Sequence, residues 1–430
     1  MAHSSVTGDA RLILDKSVND VPEALQVPTK AVSPSFQVLL ALANTVIWLS
    51  ILPIGQILLP TQIAAFNAAT RFSNLAIATS VGVMAALLTN PIAGALSDRT
   101  TSRLGRRRPW LIAGTVLSAA TLVLLANASS FLTLVIWWAI FHVAANALLA
   151  ALSAIIPDQV PVRQRATVSA FVSLSLPLGA VVGALLVTKV VKSTVMSYYT
   201  FGGILFIVML IFVLVLRDKP LPKAAAPRFH LGTFLAAFWV NPVKYPDFGW
   251  AWLTRFLVYL SYFTALGYLL YFLQDAVHYQ KAAQGVTTFQ IILTGTLLIA
   301  SVLSGILSDK FGRRKVFVMG ASLVIAFSFL ILAFWQTWTG VQLAAAVLGI
   351  GFGAYLGVDI ALITQVLPSA NARGKDLGVI NIANALPQVV GYTTAALVIT
   401  VFHSYTILFV LAALLASLGA VLIRQIKSVR

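Results

Sequence analysis

Four residues in one apolar run, His142, Asn146, Leu149 and Ser153, follow one another at i, i+4, i+7 and i+11 and therefore share one stripe of a helix. His142 stands about twelve residues into that run, near the centre of a bilayer if the run crosses one, where charging an isolated side chain costs at least about 2.5 to 3.5 kcal/mol. An imidazole that holds a proton in one conformation and sheds it in another is what proton coupling requires, which makes His142 the best candidate for that work; the alternative is a histidine that only hydrogen-bonds a neighbouring helix. Asp359 lies late in another apolar run with no cation beside it in sequence. It suits a proton carrier, a solute contact, or a structural partner for a cation such as Arg255. Asn381, Asn384 and Gln388 fall at i, i+3 and i+7, and amides facing lipid would lack partners, so their stripe must face a cavity or packed helices. Asn44, Trp48 and Gly55 share a face with Gln56 beside it, and Tyr259 and Tyr262 precede Tyr268, Tyr271 and Asp275. Aromatic faces next to amides suit a sugar or another flat solute with polar and apolar sides, although Trp and Tyr near the ends of a run also anchor it at the interface. His3, His230, His278 and His403 are scattered, no His-x-x-x-His or Gly-x-Ser-x-Gly occurs, and there is no cysteine, so neither metal nor nucleophile chemistry has a constellation here and no cofactor is expected.

The elements that must position these residues are set by composition. The chain is 59% hydrophobic and 10% charged, with mean hydropathy +0.93, which leaves too little polar surface to cover a soluble domain of 430 residues. Apolar runs of membrane-crossing length are expected at 36–58, 72–96, 109–127, 131–156, 165–188, 196–216, 250–274, 286–307, 316–335, 341–366, 376–401 and 404–423. Residues 1–35 read as a tail, 36–216 and 250–423 as two groups of six spans, and 424–430 as a second tail. The stretch 217–249 reads as a linker, in which Phe229, Leu231, Phe234, Leu235, Phe238 and Trp239 among basic neighbours suggest a short helix lying in the membrane interface.

A formal charge of +17 would suggest nucleic acid in a soluble protein, but the basic residues are sorted by loop. Only Arg71, Lys189, Lys192 and Lys281 of the 29 fall on the side away from the amino terminus. That asymmetry places both termini in the cytoplasm of a cell-membrane protein, makes anionic lipid headgroups the counter-charge, and excludes nucleic acid as a partner.

One basic motif occurs twice. Gly94 leads to Asp98-Arg99 and on to Gly105-Arg106-Arg107-Arg108; Gly305 leads to Asp309-Lys310 and on to Gly312-Arg313-Arg314-Lys315, with the two aspartates 211 residues apart. Pro177 and Pro387, 210 apart, repeat likewise and should bend the fifth and eleventh spans. A Gly-x-x-x-Asp-Arg/Lys…Gly-Arg-Arg loop after the second and eighth spans resembles the major facilitator superfamily of transporters. The resemblance implies an all-α membrane protein of twelve helices in two pseudo-symmetric six-helix bundles that expose a central site to each side in turn. It also implies that Gly94, Asp98, Arg99, Arg106, Gly305, Asp309 and Arg313 form a conformational latch, with Gly94 permitting close helix contact.

Asp98-Arg99-Thr100-Thr101-Ser102-Arg103-Leu104-Gly105-Arg106-Arg107-Arg108-Pro109-Trp110, with His142-Val143-Ala144-Ala145-Asn146 and Pro157-Asp158 in the fourth span, is similar to the glycoside-pentoside-hexuronide cation symporters, most closely the sucrose/proton branch. By that resemblance the symporters' proton-carrying aspartate falls on His142 and a following arginine on Ser153. The second span lacks the aspartates of sodium-coupled relatives. The expectation is a non-enzymatic secondary transporter, acting as a monomer, that carries a sugar or glycoside with protons. Proton-coupled efflux of an amphipathic compound and a non-transporting sensor or scaffold are the competing readings.

Overall fold

Backbone N–H and C=O groups in hydrocarbon must pair within their own segment, and each apolar run forms a helix. The structure, a computed structural model, describes residues 22–191, 193–226, 232, 244–366 and 373–427, without the side chains of 360, 361, 363–366 and 373–381. The described residues hold twelve long apolar helices. In the first half these are α1 Pro34–Phe66, α2 Arg71–Ser97, α3 Arg108–Ala126, α4 Phe131–Gln159, α5 Val162–Val191 and α6 Thr194–Val215. The second half holds α7 Pro246–Asp275, α8 Ala282–Phe311, α9 Arg314–Phe334, α10 Trp338–Val366, α11 Arg373–Phe402 and α12 Tyr405–Gln425. Among the described residues no strand forms, only an isolated bridge between Ser102 and Gly105. The proposed interfacial helix around Phe229 to Trp239 lies outside the described residues.

Most helix ends fall within a few residues of the expected ones; α1 is the exception, running on past Leu58 to Phe66. It does so through a π-helical turn, Ile54–Leu58, in which the Leu59 N–H reaches back to Ile54 O. Pro60, just beyond, has no N–H to give to residue 56, and the wider turn accommodates the missing bond. Of the two matched prolines only Pro177 coincides with a break: the helix is interrupted at Leu174, where Pro177 removes the bond to Ser173, whereas α11 runs through Pro387 as one helix. A third interruption, at Gly267–Tyr268 in α7, has no proline to announce it.

The halves pack by the same rules. α1 lies on α5 as α7 lies on α11, α2 on α4 as α8 on α10, and α3 on α6 as α9 on α12. Small residues make the tightest of these seams: Gly349, Gly353 and Gly357 press α10 onto α8 at four-residue spacing, and a Cβ at Gly353 would fall 2.8 Å from Leu297 Cα. The halves touch each other where α2 meets α11 and where α5 meets α8. The twelve described spans put the start of α1 and the end of α12 on one face, here the termini face. Polar contacts join the halves on the opposite, far face: Arg71 with Asp275, Thr188 with Thr287, and Tyr271 Oη to Pro60 O.

Candidate functional site

Two helices of the second half bring charge into the bundle and a third supplies an amide. Arg255 of α7 and Asp359 of α10, 6% and 3% exposed, form an ion pair between Nη1 and Oδ2. Arg255 Nε also donates to Asn384 Oδ1 of α11 at 2.6 Å, and its guanidinium lies 5.1 Å from the Tyr259 ring centroid. A buried charge without a partner is strongly destabilising, so each of these groups requires the others. Asp359 and Asn384 of the expected set thus meet at Arg255, within one half rather than between the two.

Aromatic rings continue this cluster. Tyr262 stacks on Phe352 with centroids 4.6 Å apart and 20° between planes, and Tyr259 meets Phe352 edge-on at 5.7 Å. Gln388 lies one turn beyond Asn384, half-buried and making no hydrogen bond among the described residues. The Asn381 side chain lies outside the described residues.

The first half is arranged differently. His142 is 7% exposed and its ring stands edge-on to Trp138, centroids 4.4 Å apart. Gly82 of α2 makes the space: a Cβ there would lie 2.9 Å from His142 Cδ2. Neither His142 Nδ1 nor Trp138 Nε1 has a hydrogen-bond partner, and the rings are packed as a wedge between α4 and α2. Asn146 and Asn44 turn their amides back on their own helices, to His142 O and Leu40 O, each at 2.9 Å. The stripe predicted through Ser153 is real as geometry, yet Ser153 too bonds its own helix, at Ala150 O. Trp48 and Gln56 of α1 are half-buried and make no hydrogen bonds among the described residues, and the π turn that carries Gln56 packs on the second half.

At the termini face the two basic loops fold alike and differ in their partners. Gly105 and Gly312 take positive φ, 105° and 62°, and in each copy the second arginine after the glycine pairs with the motif aspartate. Arg107 Nη2 lies 2.5 Å from Asp98 Oδ1, and Arg314 Nη2 lies 3.0 Å from Asp309 Oδ1. The expected latch set named Arg106 and Arg313, which lie beside these pairs with other roles. Arg106 instead pairs with Asp158 at the end of α4 at 2.7 Å, and Arg313 forms the N-cap of α9. Arg99 folds onto Ala95 O at 2.5 Å. Among the described residues a Cβ at Gly94 would meet nothing within 4 Å, and one at Gly305 would have one ordinary contact, 3.7 Å from Gly357 O.

Arg107 is the hub of the first loop. Its side chain, 3% exposed, donates from Nε to Asp158 at 2.8 Å and from Nη1 to Ser97 Oγ at 2.5 Å, besides the bond to Asp98. Burial alone would lower its pKa, but Asp158 and Asp98 more than offset that and hold it above the ordinary arginine value. Asp218, just past α6, accepts the backbone N–H groups of Arg107 and Arg108 at 2.5 and 2.8 Å and so caps α3. Neither acid was singled out for the latch from sequence. Asp158 had a signal in its place at the end of the fourth span; Asp218, in a basic linker, had none.

Twelve helices in two similarly packed halves, duplicated basic loops and a buried charge cluster define a secondary transporter. The chain matches the model of the Major Facilitator Superfamily over residues 36–298 and again over 251–427, and it belongs to that family. Its fold is similar to that of a bacterial homolog to the human lysosomal transporter Spinster, solved in an inward-facing and unoccupied conformation. The TM-score is 0.70 at 17% identity, covering 92% of this chain and 99% of that one. It is also 30% identical over 127 residues to the arabinose-proton symporter of Bacillus subtilis (strain 168), a match spanning 27% of either chain.

Proposed function

We propose that the protein is a proton-coupled symporter of a sugar or glycoside, of the kind its first basic loop and fourth span resemble, and that Asp359 rather than His142 carries the proton. The observation that supports this reading is the buried Arg255–Asp359 pair with Asn384. Of the twelve acidic residues in the chain, Asp359 alone lies well inside a span and away from the loops. An ionisable pair kept inside a membrane bundle is a functional site by default. His142, by contrast, is wedged among aromatic rings with no carboxylate against it.

In this reading a proton on Asp359 neutralises the carboxylate and loosens Arg255, which stays tethered through Nε to Asn384. Its remaining N–H groups then face solute hydroxyls, with the Gln388 amide beside them and the Tyr262–Phe352 stack against the apolar face of a sugar ring. Trp48 and Gln56 contribute from the other half. The bodies 36–216 and 250–423 rock about this site as a monomer, with both termini cytoplasmic as the loop charges require and the basic loops against anionic headgroups. The name of the arabinose-proton symporter favours the same class of solute.

Purified protein in liposomes under an imposed pH gradient, offered a panel of sugars and glycosides, tests this. Accumulation of one of them that collapses with the gradient is expected. Counterflow of hydrophobic compounds with no sugar uptake would replace symport by efflux, and no movement of either class would remove transport of these solutes.

A further inference from the structure

The far-face closure has two seams of different chemistry. Where α5 meets α8 it is held by hydroxyls: Thr188 Oγ1 and Thr287 Oγ1 are 3.1 Å apart, and Thr287 reaches Ala184 O at 3.3 Å. Where α2 meets α11 it is held by charge. Arg71 Nη2 of the first half donates to Asp275 Oδ2 of the second at 2.6 Å, and the same oxygen accepts Tyr405 Oη at 2.7 Å. The guanidinium also lies 4.8 Å from the ring centroids of both Phe72 and Tyr271. Arg71 is one of four cations on this face and Asp275 its only acid. A cavity of about 380 Å³, lined by both along with Gln336, His403 and Tyr405, abuts the pair.

The carboxylate sits on a separate lever. α7 is interrupted at Gly267–Tyr268, and its outer piece, Leu269–Asp275, ends on Asp275. From the same region Tyr268 Oη reaches Phe72 O at 2.9 Å and Tyr271 Oη reaches Pro60 O at 2.8 Å. Those two bonds use backbone carbonyls, which any sequence supplies. The ion pair is the contact that depends on specific charges in both halves.

We propose that Asp275 is the gate residue of the far face, reaching across from α7 to clamp Arg71 and hold the α2–α11 seam shut, with Tyr405 positioning its carboxylate. Breaking this pair removes the charged contact between the halves here and favours the conformation open on that face. The inference needs no particular solute and stands apart from the sugar/proton reading.

The test uses the absence of cysteine from the chain. Nitroxides at Ala69→Cys and Gln280→Cys, in the exposed loops before α2 and after α7, report the distance between the halves on this face by pulsed electron spin resonance. Asp275→Asn and Arg71→Gln are each expected to raise a longer-distance population about tenfold over the parent, the ratio that loss of one charge-assisted contact typically yields. Tyr405→Phe, a milder change, should move the distribution the same way by less, and the exchange Arg71→Asp with Asp275→Arg should return it to the parent. Unchanged distributions in Asp275→Asn and Tyr405→Phe would overturn the proposal, as would an exchange variant as wide as the single ones.

Discussion

Replacing each motif glycine by alanine should separate the two basic loops, which look equivalent in sequence. Gly312 takes φ of 62° and a Cβ there would meet nothing within 4 Å, so Gly312→Ala carries only the left-handed penalty, about 1 to 2 kcal/mol. Gly105 takes φ of 105°, and a Cβ would run into the Asp218 side chain, 2.6 Å from its Cβ. Asp218 must then move and release at least one of the two backbone N–H groups that it caps. Strain of about 1 to 3 kcal/mol and a lost charge-assisted bond of about 1.5 to 3 kcal/mol together give roughly 2.5 to 6 kcal/mol for Gly105→Ala. Thermal inactivation of the detergent-solubilised variants, followed by size-exclusion recovery, should rank wild type above Gly312→Ala and that above Gly105→Ala. Adding Asp218→Gly to Gly105→Ala should recover no stability, because it removes the very cap that the clash displaces. Equal losses in the two single variants would refute the clamp of Asp218 on this loop.

Other outcomes follow from the same contacts. Asp359→Asn leaves Arg255 buried without its counter-charge and should destabilise by about 3 to 5 kcal/mol, while Asp359→Asn with Arg255→Gln should lose much less; thermal inactivation checks the ranking. In proteoliposomes Asp359→Asn should end gradient-driven accumulation and keep solute counterflow, whereas His142→Gln should keep both; loss of accumulation in His142→Gln alone would return the proton to that residue. Arg107→Lys should lower the inactivation temperature more than Arg106→Lys, because a lysine cannot span Asp98, Ser97 and Asp158 as the guanidinium fork does. Equal effects would show that the fork geometry is not what matters there.

Chain periodicity carried most of the fold. Hydrocarbon admits only self-paired helices, so run length alone places the twelve spans, and the repeated glycine-arginine loops show that the halves match. What it does not carry is side-chain choice among equals. Which arginine of Gly105-Arg106-Arg107-Arg108 reaches Asp98 depends on the turn that Gly105 makes, and the sequence pattern marks only that a basic group is available. Asn44, Asn146 and Ser153 share helix faces as their spacing implies, yet each bonds its own backbone, an option open to any short polar side chain in a helix. Arg71 and Asp275 could have been paired from sequence, as the far face's single acid and one of its few cations, had both been weighed as a set. The break at Gly267 carries no such signal; α11 comes so close there that its Tyr392 ring would lie 2.9 Å from a Cβ at that position.

The measurement that bears most directly on the account is transport by a protein whose far-face seam can be locked. Thr188→Cys with Thr287→Cys places two thiols where hydroxyls now lie 3.1 Å apart, in a chain otherwise free of cysteine. Gradient-driven solute accumulation in proteoliposomes should stop on oxidation and return on reduction, because no solute can cross while one side is held shut. Undiminished accumulation by the oxidised, fully cross-linked protein would contradict alternating access between these two halves.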